Sequence, residues 1–365
     1  MSPQQQGNAS IVWIDDETAD STRLGGKLGS LAEMTAAGFD VPPAFGVTTD
    51  GFERFVEHTG LIATAKEVCG TLDVGDLVAV ESAAATMADI IMSGEMPPAV
   101  EAEIREGYAE LCRRSGEDEV PVAVRSSGVS EDLEGASFAG QYDTYLWIRG
   151  ADAVLENVRR CWSGLFGAQV LTYRPVDGVP PIVAGEIPGM CVGVQRMVAS
   201  RTAGVMFTLD PITGDRSKIV IEGCWGLGEG VVKGDVTPDR FKVDKVTLEI
   251  LERDVSTQTE EYRFDETSGG VEMLPVEKER GSRTCLADEE IVALATLAKR
   301  VDRHRGAPQD LEWAVDADGA VHLLQARPET VWSSKKPTSP VAAAGSTKPV
   351  DRVLAKFMTA GGSRR

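Results

Sequence analysis

The order of apolar and polar residues divides the chain into a helix-rich first half and a strand-rich second half. Strand-like runs occur at Ile11 to Ile14 and Val41 to Thr49, and helical spacing of apolar residues begins between Gly25 and Gly38. Further helical patterns continue to about Arg114, and another one covers Ala151 to Tyr173. A Pro- and Gly-rich stretch then precedes the change to short apolar runs, and it predicts a domain boundary between residues 180 and 181.

The second half contains one helical pattern and a strong hairpin signal. The helix is predicted at Asp288 to Arg305, and LEWAVDADGAVHLLQARP reads as two strands joined by a turn at Asp316 to Gly319. Residues 333–365 are rich in Ser, Pro, Lys and Ala and are predicted to be a disordered tail. Residues 1–10 are predicted to be a flexible leader, so the two expected lobes cover residues 11–180 and 181–332.

Composition and charge narrow the possible partners. The 365 residues include 57 acidic and 37 basic side chains, giving a net charge of −20, which disfavours nucleic acid and anionic membranes as partners. A local cluster of basic side chains can still bind a small anion. The six scattered cysteines are predicted to be buried thiols. Neither a signal peptide nor an apolar run of about 20 residues is seen, which predicts a cytoplasmic protein.

Two segments of the first half have the composition of an anion site. Lys27 follows Gly25 and Gly26 at the start of a helix, where backbone N–H groups and a lysine favour an anion. Arg125 ends a strand-like run and is followed by the Ser- and Gly-rich SSGVSEDLEGASFAGQ, which permits close approach of the backbone. Taken alone, each segment is also compatible with an ordinary helix start or a turn-rich loop.

The predicted hairpin carries two polar pairs. Asp310 and Glu312 lie two residues apart on one strand, and Gln325 and Arg327 lie two apart on the next, so each pair shares a face. A carboxylate, an amide oxygen and an arginine together suit Mg²⁺ that bridges nucleotide phosphates. The alternative is a surface charge ladder with a cross-strand ion pair between Glu312 and Arg327.

Two further segments give weaker signals. Gln195 and Met197 in VQRMV are compatible with a slot for a base, and equally with core packing. Glu229 lies in the glycine-rich EGCWGLGEGVV, which is compatible with a nucleotide-contacting loop and with a simple turn.

Read in order, several segments resemble the ATP-binding domain of the phosphoenolpyruvate synthase and pyruvate phosphate dikinase family. The resemblance covers about Ser21 to Val331 and rests on the segments GGKLGSLAEM, VAVRSSGVSEDLEGASFAGQYDTYL, CWSGLFGAQVLTYR, GVMFTLDPITG, WGLGEGVVKGDVTPD and DLEWAV…LLQARPET. It implies an α+β fold of the two-lobed ATP-grasp type, with ATP held between the lobes. It differs at SSGVSEDLE, where family loops usually read SSATAEDLP.

The resemblance implies five positions that contact the nucleotide. Lys27 matches the lysine that reaches the ATP phosphates, and Arg125 matches the arginine that grips them. Thr144 matches a threonine near the nucleotide, whereas Gln195 and Met197 match residues that lie against the adenine.

For the second lobe, the resemblance implies the metal and transfer residues. Glu312 and Gln325 match the pair that binds Mg²⁺, with Asp310 close by. Arg327 matches the arginine that stabilises the phosphoryl group in transit, and Glu229 matches a family position whose role we assign only as nucleotide binding. Lys27, Arg125 and Arg327 are therefore the candidate catalytic residues.

The resemblance implies a phosphotransferase that needs a partner. Family members place the phosphoryl group on a histidine in a Gly- and Thr-rich motif, and none of His58, His304 and His322 has that setting. We therefore expect the ATP-binding subunit of a split enzyme, with a partner subunit that carries the phosphohistidine. The expected acceptor is a phenol or alkylphenol; the alternatives are a split phosphoenolpyruvate synthase acting on pyruvate and a non-catalytic ATP-sensing subunit.

Overall fold

The computed structural model describes residues 9–128, 144–172 and 187–332. The predicted boundary at residues 180 and 181, most of the leader, the tail and most of the Ser- and Gly-rich loop lie outside these ranges. Both sheets described below belong to one compact unit that ends at Glu329.

An antiparallel sheet of five strands, in the order β1-β2-β5-β3-β4, organises the first part of the chain. Its strands are β1 (Ile11–Trp13), β2 (Ala44–Val47), β3 (Val122–Gly128), β4 (Thr144–Ile148) and β5 (Met190–Arg196). The helices around it are α1 (Ser21–Ala36), α2 (Thr49–Thr59), α3 (Leu61–Cys69), α4 (Leu77–Ser93), α5 (Pro98–Ser115), α6 (Ala151–Ser163) and α7 (Ala168–Thr172). The single helix predicted at Ala151 to Tyr173 is wrong, because it is interrupted by a 3-10 turn at Gly164–Phe166.

The two faces of the first sheet pack against different helices. One face forms a large core with α2 to α7, in which Val124, Val194 and Trp162 are fully buried. The other face packs against α1 through Leu24 and Leu28. This alternation follows from the period of two along a strand, and it leaves the α1 face of β3 and β5 for polar residues.

A second antiparallel sheet has six strands in the order β13-β12-β6-β7-β8-β9. Its strands are β6 (Ser200–Phe207), β7 (Lys218–Trp225), β8 (Asp239–Asp244), β9 (Ile250–Asp254), β12 (Gln309–Asp316) and β13 (Val321–Pro328). Strands β10 (Glu260–Asp265) and β11 (Gly270–Pro275) form a separate hairpin, and the helices are α8 (Glu229–Lys233), α9 (Lys278–Gly281) and α10 (Asp288–Arg305). The predicted bounds of α10 and the predicted β12–β13 hairpin are confirmed.

The change from the first sheet to the second falls between β5 and β6. Strand β5 follows the predicted boundary in sequence, yet it pairs with β2 and β3 of the first sheet. Helix α1 contributes to both cores, because Leu24 and Leu28 pack on the first sheet whereas Met34 packs with the core of the second sheet. The Ser30 hydroxyl also donates a hydrogen bond to the Ala326 carbonyl on β13.

The prediction of buried cysteines is borne out. All six cysteines are buried, as predicted. In the part of the chain that the structure describes, no single helix is long and apolar enough to cross a membrane, although α4 and α5, bent by 79°, would pass that test as a pair.

Candidate functional site

The segment around Lys27 is shaped by a glycine and fixed by a serine. Asp20 accepts hydrogen bonds from the backbone N–H groups of Thr22 and Arg23 and so caps α1. At Gly25 the helix is broken by a φ of +68°, and a Cβ there would lie 1.9 Å from the Ser127 carbonyl oxygen. Half-buried Lys27 therefore lies in the turn that restarts the helix.

Ser127 on β3 holds this turn from the other side. Its hydroxyl donates to the Leu24 carbonyl at 2.7 Å and accepts from the Leu28 N–H at 3.0 Å. The sequence reasoning included Ser127 only as part of a loop composition. Its place on a buried strand, two residues after Arg125, is the signal that could have identified it as a positioning residue.

Arg125 connects the two sheets. It lies on β3, is 8% exposed, and donates to the Leu324 carbonyl at 3.3 Å and to Oε1 of Gln325, both on β13. Its Nε is buried without a hydrogen-bond partner among the described residues. Thr144 is the residue directly opposite Arg125 on β4 and is exposed.

The β12–β13 hairpin sets the two predicted polar pairs opposite each other. Asp310 faces Arg327, and Glu312 faces Gln325. The Arg327 guanidinium contacts the Asp310 carboxylate at 2.8 Å. The alternative of a Glu312–Arg327 ion pair is therefore wrong, because Asp310 is the residue directly opposite the arginine. Burial raises the pKa of the Asp310 carboxyl, and Arg327 opposes that rise.

The same face of the second sheet continues with charged side chains that the sequence reasoning missed. Across the strands, Glu312 lies opposite Val205, Val205 opposite Glu222, and Glu222 opposite Arg240. The Glu222 and Arg240 side chains approach to 3.6 Å, and they are half-buried. In sequence, polar residues alternate with apolar ones in KIVIEG and RFKVD, and this alternation could have predicted a polar face on β7 and β8.

Gln195 shares the α1-facing side of the first sheet with Arg125. It lies on β5 between two alanines, Ala44 and Ala123, and is 3% exposed. Its Nε2 has no hydrogen-bond partner in the described ranges, so a buried donor is left unsatisfied. Met197 follows the end of β5, is half-buried, and its N–H donates to the Pro121 carbonyl at 2.8 Å.

Glu229 begins the short helix α8 and pairs with Lys233 at 2.7 Å. In the part of the chain that the structure describes, neither Glu229 nor Met197 hydrogen-bonds to another predicted site residue.

Most of the other predicted site residues lie close together. The structure brings together Arg125, Thr144, Gln325, Glu312, Asp310 and Arg327, with Gln195 on the same sheet face as Arg125 and Lys27 on the adjacent helix. This arrangement collects cations and hard oxygen donors at one place between the sheets.

The donor set decides which metal fits. Within residues 9–128, 144–172 and 187–332, no group of three or more His, Cys, Asp or Glu side chains is placed to hold a metal ion. Glu312 and Gln325, directly opposite in register, offer a carboxylate and an amide oxygen. Such a pair fits Mg²⁺ that takes its remaining ligands from phosphates and water.

The three histidines do not lie in this arrangement. His58 is exposed on α2, and His304 contacts Glu33 at 3.1 Å on the surface. His322 lies on β13 between two carboxylates, 3.2 Å from Asp316 and 3.5 Å from Asp40. Each therefore has a structural or surface role in this geometry.

Comparison with known families now adds to this geometry. Residues 21–346 match the family described as "Pyruvate phosphate dikinase, AMP/ATP-binding domain". The chain belongs to this family. The predicted α+β ATP-grasp fold class is thereby confirmed, and ATP is the expected ligand of the family's domain.

Curated relatives carry the same domain within longer chains. The protein is 43% identical to the probable phosphoenolpyruvate synthase of Staphylothermus marinus, over 89% of this chain and 42% of that one. It is 45% identical to the probable phosphoenolpyruvate synthase of Methanothermobacter thermautotrophicus, over 84% of this chain and 44% of that one. The phosphoenolpyruvate synthase of Pseudomonas aeruginosa is 39% identical, over 87% and 42%. The chain thus spans less than half the length of these relatives.

Among solved structures, the ATP-grasp ligase PsnB in complex with the precursor peptide PsnA2 and AMPPNP covers 77% of this chain and 71% of its own. The identity is 11% and the TM-score is 0.16, so this likeness carries no argument.

Proposed function

We propose that this chain is the phosphoryl-donor part of a dikinase-type phosphotransferase. It binds Mg-ATP between its two sheets and passes a phosphoryl group to a histidine that lies outside these residues, on a partner subunit. The main support for the proposal is the contact of Arg125 with Gln325. It lies beside two pairs of residues that face each other across β12 and β13, Asp310–Arg327 and Glu312–Gln325.

The roles proposed for the residues follow from their charge and position. Lys27 on α1 and Arg125 on β3 neutralise phosphate oxygens, and Arg327 stabilises the charge on the phosphoryl group in transit. Glu312 and Gln325 would hold Mg²⁺, which supplies further neutralisation of phosphate charge. The unsatisfied Nε2 of Gln195 is a donor suited to the base, with Met197 as its apolar neighbour.

The proposed reaction forms a bond between phosphorus and a histidine ring nitrogen. The histidine nitrogen bonds to the β-phosphorus of ATP as the bond from that phosphorus to the AMP oxygen breaks. Water then cleaves the β–γ bond and carries the γ-phosphoryl group away as free phosphate, so one phosphoryl group stays on the histidine. None of His58, His304 and His322 lies in a Gly- and Thr-rich motif. His304 and His322 instead contact carboxylates. We therefore propose that the accepting histidine lies on the partner.

Two acceptors are proposed for the final step. A phenol or alkylphenol is the acceptor in the split-enzyme prediction. Pyruvate is the second candidate, and the names of the relatives at 39–45% identity favour it. The site described above faces the nucleotide, so its residues support either acceptor equally.

A purely sensory role is the least supported alternative. A subunit that only senses ATP would have little use for a metal pair and a separate arginine opposite Asp310. The sequence retains all of Lys27, Arg125, Glu312, Gln325 and Arg327.

The test is an AMP-release assay with Mg-ATP. The chain is assayed alone and then with a phosphohistidine-domain protein encoded beside it, plus phenol, a 4-alkylphenol or pyruvate. AMP formed only with that protein supports the proposal, and the acceptor that increases turnover identifies the final step. ATP binding without AMP under every condition would favour the sensory role, whereas no ATP binding would contradict the proposed function altogether.

A further inference from the structure

Strand β4 contains a bulge that redirects one tryptophan. Val122 lies opposite Ile148 and Val124 lies opposite Tyr145, so two residues, Leu146 and Trp147, stand against the single residue between them. Trp147 has a φ of +60°, which is unfavourable for a bulky side chain. Bulges of this kind re-aim a side chain, and a strained one persists only where its surroundings hold it.

The side chain that holds Trp147 comes from the β10–β11 hairpin. The rings of Trp147 and Phe264 are stacked, with centroids 5.2 Å apart and planes inclined by 14°. The guanidinium of Arg149 lies 5.4 Å from the Phe264 ring centroid and adds a cation–π contact. A β4 residue of the first sheet is thereby joined to a hairpin that lies between β9 and β12 of the second sheet in sequence.

The same hairpin strand fixes the glycine-rich loop before Glu229. The Tyr262 carbonyl accepts from the Leu227 N–H at 2.9 Å, and Gly226 forms a bridge with Tyr262. Gly226 has a φ of +73°, and a Cβ on it would lie 2.4 Å from the Tyr262 carbonyl oxygen. The loop is therefore seated on the hairpin through its backbone.

The hairpin strand is itself anchored by a buried ion pair. Glu261 is 2% exposed and contacts Arg280 of α9 at 2.8 Å. Because removal of Arg280 would leave the buried Glu261 carboxylate without this partner, the pair resists displacement of the strand. Phe264 is thus presented to Trp147 from a fixed support.

Two of the contacts between the first sheet and the later part of the chain differ in what nucleotide binding would do to them. The link from Arg125 to Gln325 uses groups that the proposed function assigns to phosphate and metal, so nucleotide binding must exchange it. The link from Trp147 to Phe264 uses no such group. It can persist while the other is exchanged.

We infer that Trp147, Phe264 and Arg149 form a latch, in which Trp147 and Phe264 act as positioning residues for nucleotide binding. The latch keeps β4, and with it Thr144 and Arg125, in a fixed position relative to the hairpin that binds the loop before Glu229. This inference rests on the proposed function in one respect, that the nucleotide binds between the sheets.

The affinity for Mg-AMPPNP, measured by calorimetry on the full chain, tests the latch. Phe264→Leu keeps an apolar side chain but removes the ring stack, and affinity should fall roughly three- to tenfold, the range of an aromatic pair. Trp147→Phe retains two rings and should stay within about twofold of the wild type. Glu272→Ala, an exposed change on the other face of the hairpin, should leave affinity unchanged.

Two readouts separate a latch from general damage to the hairpin. In a double-mutant cycle with Trp147→Leu and Phe264→Leu, the losses in affinity should be strongly non-additive. In Phe264→Leu, nucleotide should also protect the Leu227 amide from hydrogen exchange less than it does in the wild type. Wild-type affinity in Phe264→Leu, or additive losses in the cycle, would overturn the latch.

Failure of the proposed function is distinguishable from failure of the latch. If the wild type binds no Mg-AMPPNP, the proposed function fails. The latch is then judged by the same cycle applied to the free energy of unfolding of the ligand-free protein. Additivity in that cycle overturns it as well, and coupling between the two rings supports it.

Discussion

On the first sheet, Arg125 and Gln195 are buried and each keeps one nitrogen without a hydrogen-bond partner among the described residues. On the second sheet, Arg327, Glu222 and Lys242 each contact an oppositely charged side chain, although Arg240 Nε also lacks a hydrogen-bond partner in the described part of the chain. Arg327 contacts Asp310 at 2.8 Å, and Lys242 contacts Glu252 at 3.1 Å. A ligand can therefore satisfy the first sheet by filling open donors, but it must exchange existing ion pairs on the second.

Under the proposed function, this difference predicts different contributions of the two sheets to the reaction. An unsatisfied buried donor costs about 1–3 kcal/mol, which a ligand recovers when it binds, so the first sheet contributes mainly to affinity. A paired arginine offers little to a ground-state ligand. It gains most where charge develops during transfer, so the second sheet contributes mainly to rate.

The largest expected effect is that of Arg327→Ala on phosphoryl transfer. The rate of AMP formation should fall by about 100- to 1,000-fold, as for loss of one donor to a developing charge. The dissociation constant of Mg-AMPPNP should change by less than about threefold, because the role lies in the transition state. Steady-state assays and calorimetry measure the two quantities.

The matched control for this arginine is Arg253→Ala. Arg253 lies on the edge strand β9 and contacts exposed Asp288 at 2.8 Å, so its removal should alter neither quantity. Equal losses of affinity and transfer in Arg327→Ala would contradict the division of labour between the sheets.

The next largest effect is expected for Gly25→Ala. The new Cβ would lie 1.9 Å from the Ser127 carbonyl oxygen on a backbone with a φ of +68°, so the turn that carries Lys27 must shift. We expect a loss of more than about 2 kcal/mol in the free energy of unfolding. Chemical denaturation measures that loss, and Mg-AMPPNP affinity should fall with it.

Gly38→Ala is the control for backbone strain alone. Gly38 has a φ of +75°, but a Cβ at this position would have no atom within 4 Å, so the substitution should cost only about 1 kcal/mol. Similar losses for the two variants would show that the contact with Ser127 does not constrain the Lys27 turn.

A smaller effect is expected for Gln195→Leu. The variant removes the unsatisfied Nε2, so the affinity for Mg-AMPPNP should fall by roughly tenfold while stability is kept or rises by about 1 kcal/mol. Gln309→Leu is the control, because the Gln309 Nε2, unlike that of Gln195, already donates to the Ala307 and Pro308 carbonyls at 3.0 Å. That control should lose stability and keep affinity, and the reverse pattern would count against a ligand role for Gln195.

Local patterns predicted the elements better than their partners. The DADG turn and the alternation on either side fixed the β12–β13 hairpin, and the acidic first turn and basic last turn mark α10. Which carboxylate faces Arg327 could not be read from spacing, because the pairing register also depends on a bulge between Glu312 and Trp313.

Long-range contacts explain the remaining misses. Strand β5 joins the first sheet although it follows the Pro- and Gly-rich stretch, because pairing depends on the shape of the whole sheet rather than on its own sequence. The contact of Arg125 with Gln325 joins residues 200 positions apart, and no local periodicity encodes it. The Trp147–Phe264 stack escaped prediction for the same reason.

The smallest expected effect is the change of the free energy of unfolding with pH. It compares the charged Asp244 carboxylate with the neutral, hydrogen-bonded Tyr108 hydroxyl. The Thr247 and Val246 N–H groups and Lys218 hold the pKa of the Asp244 carboxyl well below its usual range. A depressed pKa means that Asp244 stabilises the folded state above its unfolded pKa of 3.8 and loses that contribution as pH falls through the folded value. Asp244→Asn should therefore be less stable than the wild type at pH 7, and the difference should vanish in acid.

Tyr108 provides the opposite case in the first part of the molecule. Its hydroxyl donates to the Val120 carbonyl at 3.0 Å and accepts from the Gly150 N–H at 2.9 Å, and burial raises its pKa to about 12. Because the pKa of Tyr108 is raised, its contribution to the free energy of unfolding is fully present below the usual pKa of 10.0 and is lost as pH rises through about 12. The loss in Tyr108→Phe should thus be the same from acid to pH 7, as measured by denaturation at each pH. If that loss also shrank in acid, neutral hydrogen bonds would not be what supports this part of the fold.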